Sequence, residues 1–135
     1  MTVVFFLTGC DTLFVKRFDL QRPINSSLIT NYEVNKDKII SAIDHVASDY
    51  NLSCRKRQGV FRDCKLQPKS IVAFEDNQGF TTCLFMLGMP FEESKFVQLA
   101  DALEKALKDS VTEGAKLSIS PTEKLPECKV PKEIQ

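Results

Sequence analysis

The residues of this chain with the most chemistry to offer are its five cysteines, Cys10, Cys54, Cys64, Cys83 and Cys128. A thiol can be alkylated, oxidised to a disulfide, or deprotonated to bind a metal. Five in 135 residues is a high density. Cytosolic proteins keep thiols reduced, whereas small exported domains use them as cross-links. An odd number requires that one cysteine be occupied in some other way. No Cys-x-x-Cys occurs, and the intervals are unlike those of zinc knuckles or ribbons, so no metal site is expected from them. The other candidate groups are weaker. His45 is the single histidine, placed between Asp44 and Val46 in a stretch of helical spacing, where a lone imidazole is usually a surface residue rather than a general base. No serine stands in a GxSxG context, and neither a phosphate loop nor GxGxxG is present. Carboxylate pairs such as Glu92/Glu93 and Asp44/Asp49 are routine on helix surfaces. These features favour a protein that is not an enzyme and uses no cofactor.

One local charge feature stands out. Arg55, Lys56, Arg57, Arg62, Lys65 and Lys69 fall within a short stretch opposed only by Asp63. Gathered on one surface they would suit an anionic glycan, lipid headgroups or an acidic envelope protein; left as a solvated loop they would need no partner, which is the commoner fate of such a run. With no Trp in the chain and only Phe61 interleaved, they make a poor surface for nucleic acid.

The N-terminus reads Met1-Thr2-Val3-Val4-Phe5-Phe6-Leu7-Thr8-Gly9-Cys10. The segment Leu7-Thr8-Gly9-Cys10, behind the apolar Val3 to Leu7, resembles the lipobox of bacterial lipoprotein signal peptides: a Leu, two small residues, then the cysteine that receives the lipid. The small residues let the backbone lie extended in a peptidase cleft. The resemblance covers residues 1–10 only. It implies that Cys10 is the first residue of the mature protein and the site of lipidation, and that the protein is held in the cell envelope facing the periplasm. Lipoproteins of this kind carry two or three acyl chains; at roughly 0.8 kcal/mol per buried CH₂, such an anchor is effectively permanent. No Lys or Arg precedes Cys10 and the apolar run is shorter than the usual ~7–15 residues, so residues 1–9 read as a short or truncated signal peptide. Asp11 resembles the inner-membrane retention signal of enteric lipoproteins.

With Cys10 set aside by this resemblance, Cys54, Cys64, Cys83 and Cys128 remain, and four cysteines allow three pairings. Cys54–Cys64 is favoured because the two flank one excursion, which leaves Cys83–Cys128 to staple the C-terminal tail to the sheet.

The elements that position these groups can be read from periodicity. Residues 10–27 form a mixed lead-in behind the anchor, too apolar at Leu13, Phe14, Val15, Phe18 and Leu20 for a plain tether and interrupted at Pro23; it either packs on the domain or lies near the bilayer surface. Leu28 to Val34 suggests a short strand, and Asn35 a helix N-cap. From Lys36 to Tyr50, Ile39, Ile40, Ile43, Val46, Ala47 and Tyr50 follow the 3-4-7 spacing of an amphipathic helix. Residues 52–67 suggest a hairpin or long loop around Gln58-Gly59. Ile71 to Glu75 and Phe80 to Leu87 read as strands joined by a polar turn, the second apolar on both faces and therefore interior. A second helix is expected from about Glu92 to Thr112, with Phe96, Leu99, Ala100, Leu103, Ala106, Leu107 and Val111 on one stripe. Leu117 and Ile119 suggest a last strand before Pro121, and residues 122–135 an extended tail.

Two amphipathic stripes and a small sheet are most simply satisfied by an α+β two-layer sandwich, residues 28–121, with the helices on a mostly antiparallel sheet; the ferredoxin-like arrangement is one form of it. Eighteen basic residues balance eighteen acidic ones, and hydrophobic residues make up 43%. No global field therefore draws the protein to nucleic acid. The expected function is that of a small membrane-anchored envelope lipoprotein with a non-catalytic binding or accessory role, its partners being the membrane, through lipid on Cys10, and an envelope protein or anionic glycan. The alternative is a small soluble α+β domain with a structural or interaction role and no anchor.

Overall fold

The computed structural model describes residues 12–21, 29–57, 59–76, 79–110, 117–120 and 128. Cys10, Asp11 and the rest of the lipobox lie outside the described residues, as does the tail apart from Cys128. The elements in chain order are β1 (Thr12–Gln21), α1 (Ile29–Asp49), β2 (Ser53–Arg57), β3 (Val60–Leu66), β4 (Lys69–Asp76), β5 (Gly79–Gly88), a 3-10 turn (Pro90–Glu92), α2 (Glu93–Ser110) and β6 (Leu117–Ile119).

The six strands form one sheet in the order β2-β3-β4-β5-β1-β6, and every neighbouring pair is antiparallel. The α+β two-layer expectation is met. The ferredoxin-like order is kept within it, β1-α1-β4-β5-α2-β6 with the strands lying β4-β5-β1-β6, and the excursion around Cys54 and Cys64 adds a hairpin, β2-β3, beside β4. Gly59 serves the β2–β3 turn with φ 88, a conformation that an L side chain rarely adopts.

Two expectations are corrected. The lead-in of residues 10–27 supplies β1, which sits inside the sheet between β5 and β6 and pairs with β5 from Thr12↔Gly88 to Gln21↔Gly79. Phe18 and Leu20 are buried in the core and Phe14 packs against it. Lys16 on the same face and Leu13 and Val15 on the other disguise the alternation. Leu28 to Val34 is not a strand, since α1 already begins at Ile29. The β-branched Ile29, Thr30 and Val34 argue locally for a strand, but extending an existing helix adds a hydrogen bond for each residue fixed and avoids a new nucleus. Asn35 is accordingly interior, not a cap.

The far end of α1 is closed by chemistry that only an αL residue permits. Asn51 takes φ 65, its N–H donates to the Ser48 carbonyl, and the Leu52 N–H donates to Ala47 at 2.8 Å. This is a Schellman motif, and Leu52 is buried beneath it.

Both helices lie on one face of the sheet. Ile39, Ala42, Ile43, Val46 and Ala47 of α1 meet Phe96, Leu99, Ala100, Leu103 and Leu107 of α2 over Phe18, Cys64, Ile71, Ala73, Phe80, Leu84 and Met86. Phe14 stacks on Phe96 with ring centroids 5.4 Å apart, and Phe61 meets Phe80 edge-on at 5.8 Å. The opposite face carries a smaller cluster of Val60, Phe74 and Cys83, packed by Val72, Phe85 and Cys128.

Candidate functional site

Strand pairing sets the cysteine chemistry. Cys54 of β2 stands opposite Cys64 of β3 in register, their Cα atoms 4.0 Å apart, and the two are joined as a disulfide. Cys83 of β5 is joined to Cys128 across a Cα separation of 6.1 Å. Because Cys83 belongs to the cluster on the helix-free face, this bond fixes the C-terminal segment at Cys128 to that face.

Asp44, Cys54 and Cys64 place one ligand atom each within 4.8 Å of one another, a spacing a metal could use. The donor set does not suit one. The two sulfurs are bonded to each other, and neither is a thiolate. The Asp44 carboxylate is engaged by Arg62, whose Nε donates to Oδ1 and Nη2 to Oδ2, each at 2.7 Å.

The basic residues are divided by the pleat. Arg62 and Lys69 point to the helix side: Arg62 meets α1 through Asp44, and Lys69 lies 5.8 Å from the Tyr50 ring centroid. Lys56, two residues after Cys54 on edge strand β2, is exposed. Arg55 is opposite Asp63 in register and 3.8 Å from its carboxylate, which is only 2% exposed. Lys65 is exposed, and Arg57 closes β2 opposite Val60. The cations thus fall on two surfaces, the more open ones being Arg55 and Lys56 on the edge strand β2 and Lys65 on its neighbour β3. Charged side chains on an edge strand also discourage pairing with another chain.

His45 is on the solvent side of α1, three-quarters exposed, with Nε2 3.7 Å from the Asp49 carboxylate one turn on. Glu92 ends the 3-10 turn and Glu93 begins α2, where carboxylates oppose the positive end of the helix dipole. Glu92 Oε1 accepts from the Met89 N–H at 2.9 Å. That bond, helped by the Lys95 ammonium, holds the Glu92 carboxyl below its ordinary pKa of 4.5. A shallow depression along α2, lined by Asp101, Glu104, Lys105, Lys108 and Asp109, is the charged outer surface of the helix.

Sequence reasoning missed a polar network centred on β1. Asp19 accepts from Arg17 Nε at 2.9 and 3.0 Å and from the hydroxyl of Thr81, its cross-strand partner, at 3.0 Å. Ser120 braces the same strand, its hydroxyl accepting from the Arg17 N–H and its own N–H donating to the Arg17 carbonyl, both at 3.0 Å. The signal was the i, i+2 spacing of Arg17 and Asp19 within a segment taken for a lead-in. Thr81 is 2% exposed, so the network braces the sheet and offers no open nucleophile.

Among the described residues no helix is long and apolar enough to cross a membrane. No protein family, no curated protein and no solved structure matches the chain.

Proposed function

We propose that this chain is an exported protein anchored in the bacterial cell envelope by lipid on Cys10, with a non-catalytic binding or accessory role there. The observation that carries the proposal is the cysteine pairing. Cys54–Cys64 and Cys83–Cys128 account for four of the five cysteines. Disulfides persist in oxidising compartments, and Cys10 alone is left for other chemistry, within a segment that resembles a lipobox. Asp11 favours the inner membrane. The non-catalytic part of the reading is supported by the engagement of the groups that could react: Asp44 by Arg62, Asp19 by Arg17 and Thr81, and His45 at the surface beside Asp49. The exposed cations of the β2-β3 hairpin, Arg55, Lys56 and Lys65, are the residues that would hold an anionic glycan or an acidic envelope protein.

The test is the mass of the mature N-terminus from the membrane fraction. The expected result is a chain beginning at Cys10 and carrying a diacylglyceryl group, with processing blocked by globomycin and Cys10→Ser shifting the protein to the soluble fraction. An unmodified Cys10 thiol in a chain that partitions with soluble protein would overturn the proposal in favour of a soluble α+β domain.

A further inference from the structure

We infer that the end of the fold where β1 begins is a membrane-contact rim, an apolar edge that rests on the bilayer surface beside the lipid; this builds on the reading of Cys10 as the lipidated residue. The large apolar side chains that stand exposed among the described residues are Leu13, Leu66, Leu87, Phe91 and Val97, at 50%, 45%, 49%, 80% and 40%. The strand register brings them to one end. Leu66 faces Lys69, Lys69 faces Met86 and Met86 faces Phe14, a single row across β3, β4, β5 and β1. One step beyond that row Leu13 faces Leu87, and then Thr12 faces Gly88 as both strands end. The turn after Leu66 is tied to the same place, the Leu87 N–H donating to the Pro68 carbonyl at 3.2 Å. Past Gly88 the chain enters the 3-10 turn that displays Phe91, and Val97 lies in the opening turns of α2. The opposite end, where α2 closes with Lys108 and Asp109, is charged.

Scattered exposed apolar residues need no explanation, but a gathering at one edge of a small domain marks a contact surface. Covalent geometry identifies the occupant. Only Asp11 separates Cys10 from Thr12, and two residues span at most ~7 Å. A lipid on Cys10 would therefore enter the bilayer directly beside Leu13, too close for a protein to sit between this edge and the headgroups. Leu and Phe on a polar body are suited to the boundary between headgroups and acyl chains. The charges at this end are mixed, with Lys65 and Lys95 exposed and Lys95 3.4 Å from the Glu92 carboxylate, so the contact is apolar and does not require anionic lipid.

The chain has no Trp, so each single Trp substitution is a unique reporter. Phe91→Trp and Asp109→Trp are made at exposed positions in the full lipoprotein, which is then purified from membranes. Each is reconstituted in phosphatidylcholine vesicles with brominated acyl chains, after mass analysis of Cys10. The expected result is that Phe91→Trp emits to the blue and loses most of its emission to the brominated lipid. Asp109→Trp, more than ~20 Å further along the helix at 1.5 Å per residue, should be unaffected. Adding Leu13→Ser and Leu87→Ser should restore the emission of Phe91→Trp while the protein stays on the vesicles. If Cys10 carries lipid and both reporters are equally unquenched, the anchor stands and the rim is overturned. If Cys10 carries no lipid, the anchor and the rim fall together.

Discussion

Arg62 on β3 grips Asp44 on α1 through two parallel hydrogen bonds of 2.7 Å, Nε to Oδ1 and Nη2 to Oδ2, beside the Cys54–Cys64 disulfide. This fork ties the first helix to the hairpin. Both side chains are partly solvated, at 25% and 39% exposure, so screening limits its strength despite the bidentate geometry. A double-mutant cycle of Arg62→Met and Asp44→Asn, followed by urea unfolding, should give a coupling of about 1 kcal/mol. A coupling indistinguishable from zero would show that the pair does not hold the helix.

The two disulfides close chain segments of unequal length, with sequence separations of 10 and 45. In the chain-entropy account these stabilise by roughly 2.7 and 4 kcal/mol. Replacing Cys83 and Cys128 together by Ser should therefore lower the urea midpoint more than replacing Cys54 and Cys64. Alkylation of the native protein without reductant, followed by peptide mapping, checks the bonds themselves: four modified cysteines would rule them out.

Glu92 carries a pH dependence whose sign is fixed by its partner. Its carboxyl titrates below the ordinary value of 4.5, chiefly because the carboxylate accepts from the Met89 N–H. A depressed folded-state pKa means that the stabilisation is present above pH 4.5 and is lost as pH falls through the lowered value. The Met89 amide resonance should move in that acid window, and Glu92→Gln should abolish the movement. Gly88→Ala places a Cβ 2.9 Å from Glu92 Oε1. The carboxylate end must give way, so the same titration should shift upward toward 4.5 in that variant.

Phe18 of β1 is 1% exposed, whereas the His45 side chain is 75% exposed. Truncating Phe18 to Ala should cost about 3–5 kcal/mol, enough to threaten folding of a domain this size, and His45→Ala should stay within ~0.5 kcal/mol. Thermal unfolding of the two variants distinguishes a strand built into the sheet from a detachable lead-in.

Where the alternation or the 3-4-7 stripe is clean, the sequence is a sufficient guide. The stripe from Phe96 to Leu107 becomes α2, and Phe80 to Leu87, apolar on both faces, becomes the interior strand β5. β1 was illegible because it is bordered on both sides. Lys16 faces the helices and reaches toward Glu104 at 4.0 Å, while Leu13 on the other face is half exposed, so polarity does not track burial along it. Segment Ile29 to Val34 misled for another reason: side-chain propensity there competes with helix propagation from the strongly patterned turns that follow. The charged run from Arg55 to Lys69 shows a third limit. A sequence displays charges in one line, whereas the pleat sends Arg62 under the helix and Arg55 toward Asp63.

The position of β1 also governs when the sheet can be completed. β1, the first of the described strands, lies between β5 and β6, both drawn from later parts of the chain, so neither of its edges meets these partners until those parts have been delivered. The meander from β2 to β5 can zip between sequence neighbours, but insertion of β1 requires closing a long loop, at an entropic cost that grows as about (3/2)RT ln n, and such non-local pairing slows folding. A chain delivered N-terminus first thus keeps Phe14, Phe18 and Leu20 uncovered while it waits, the state in which unpaired strands aggregate.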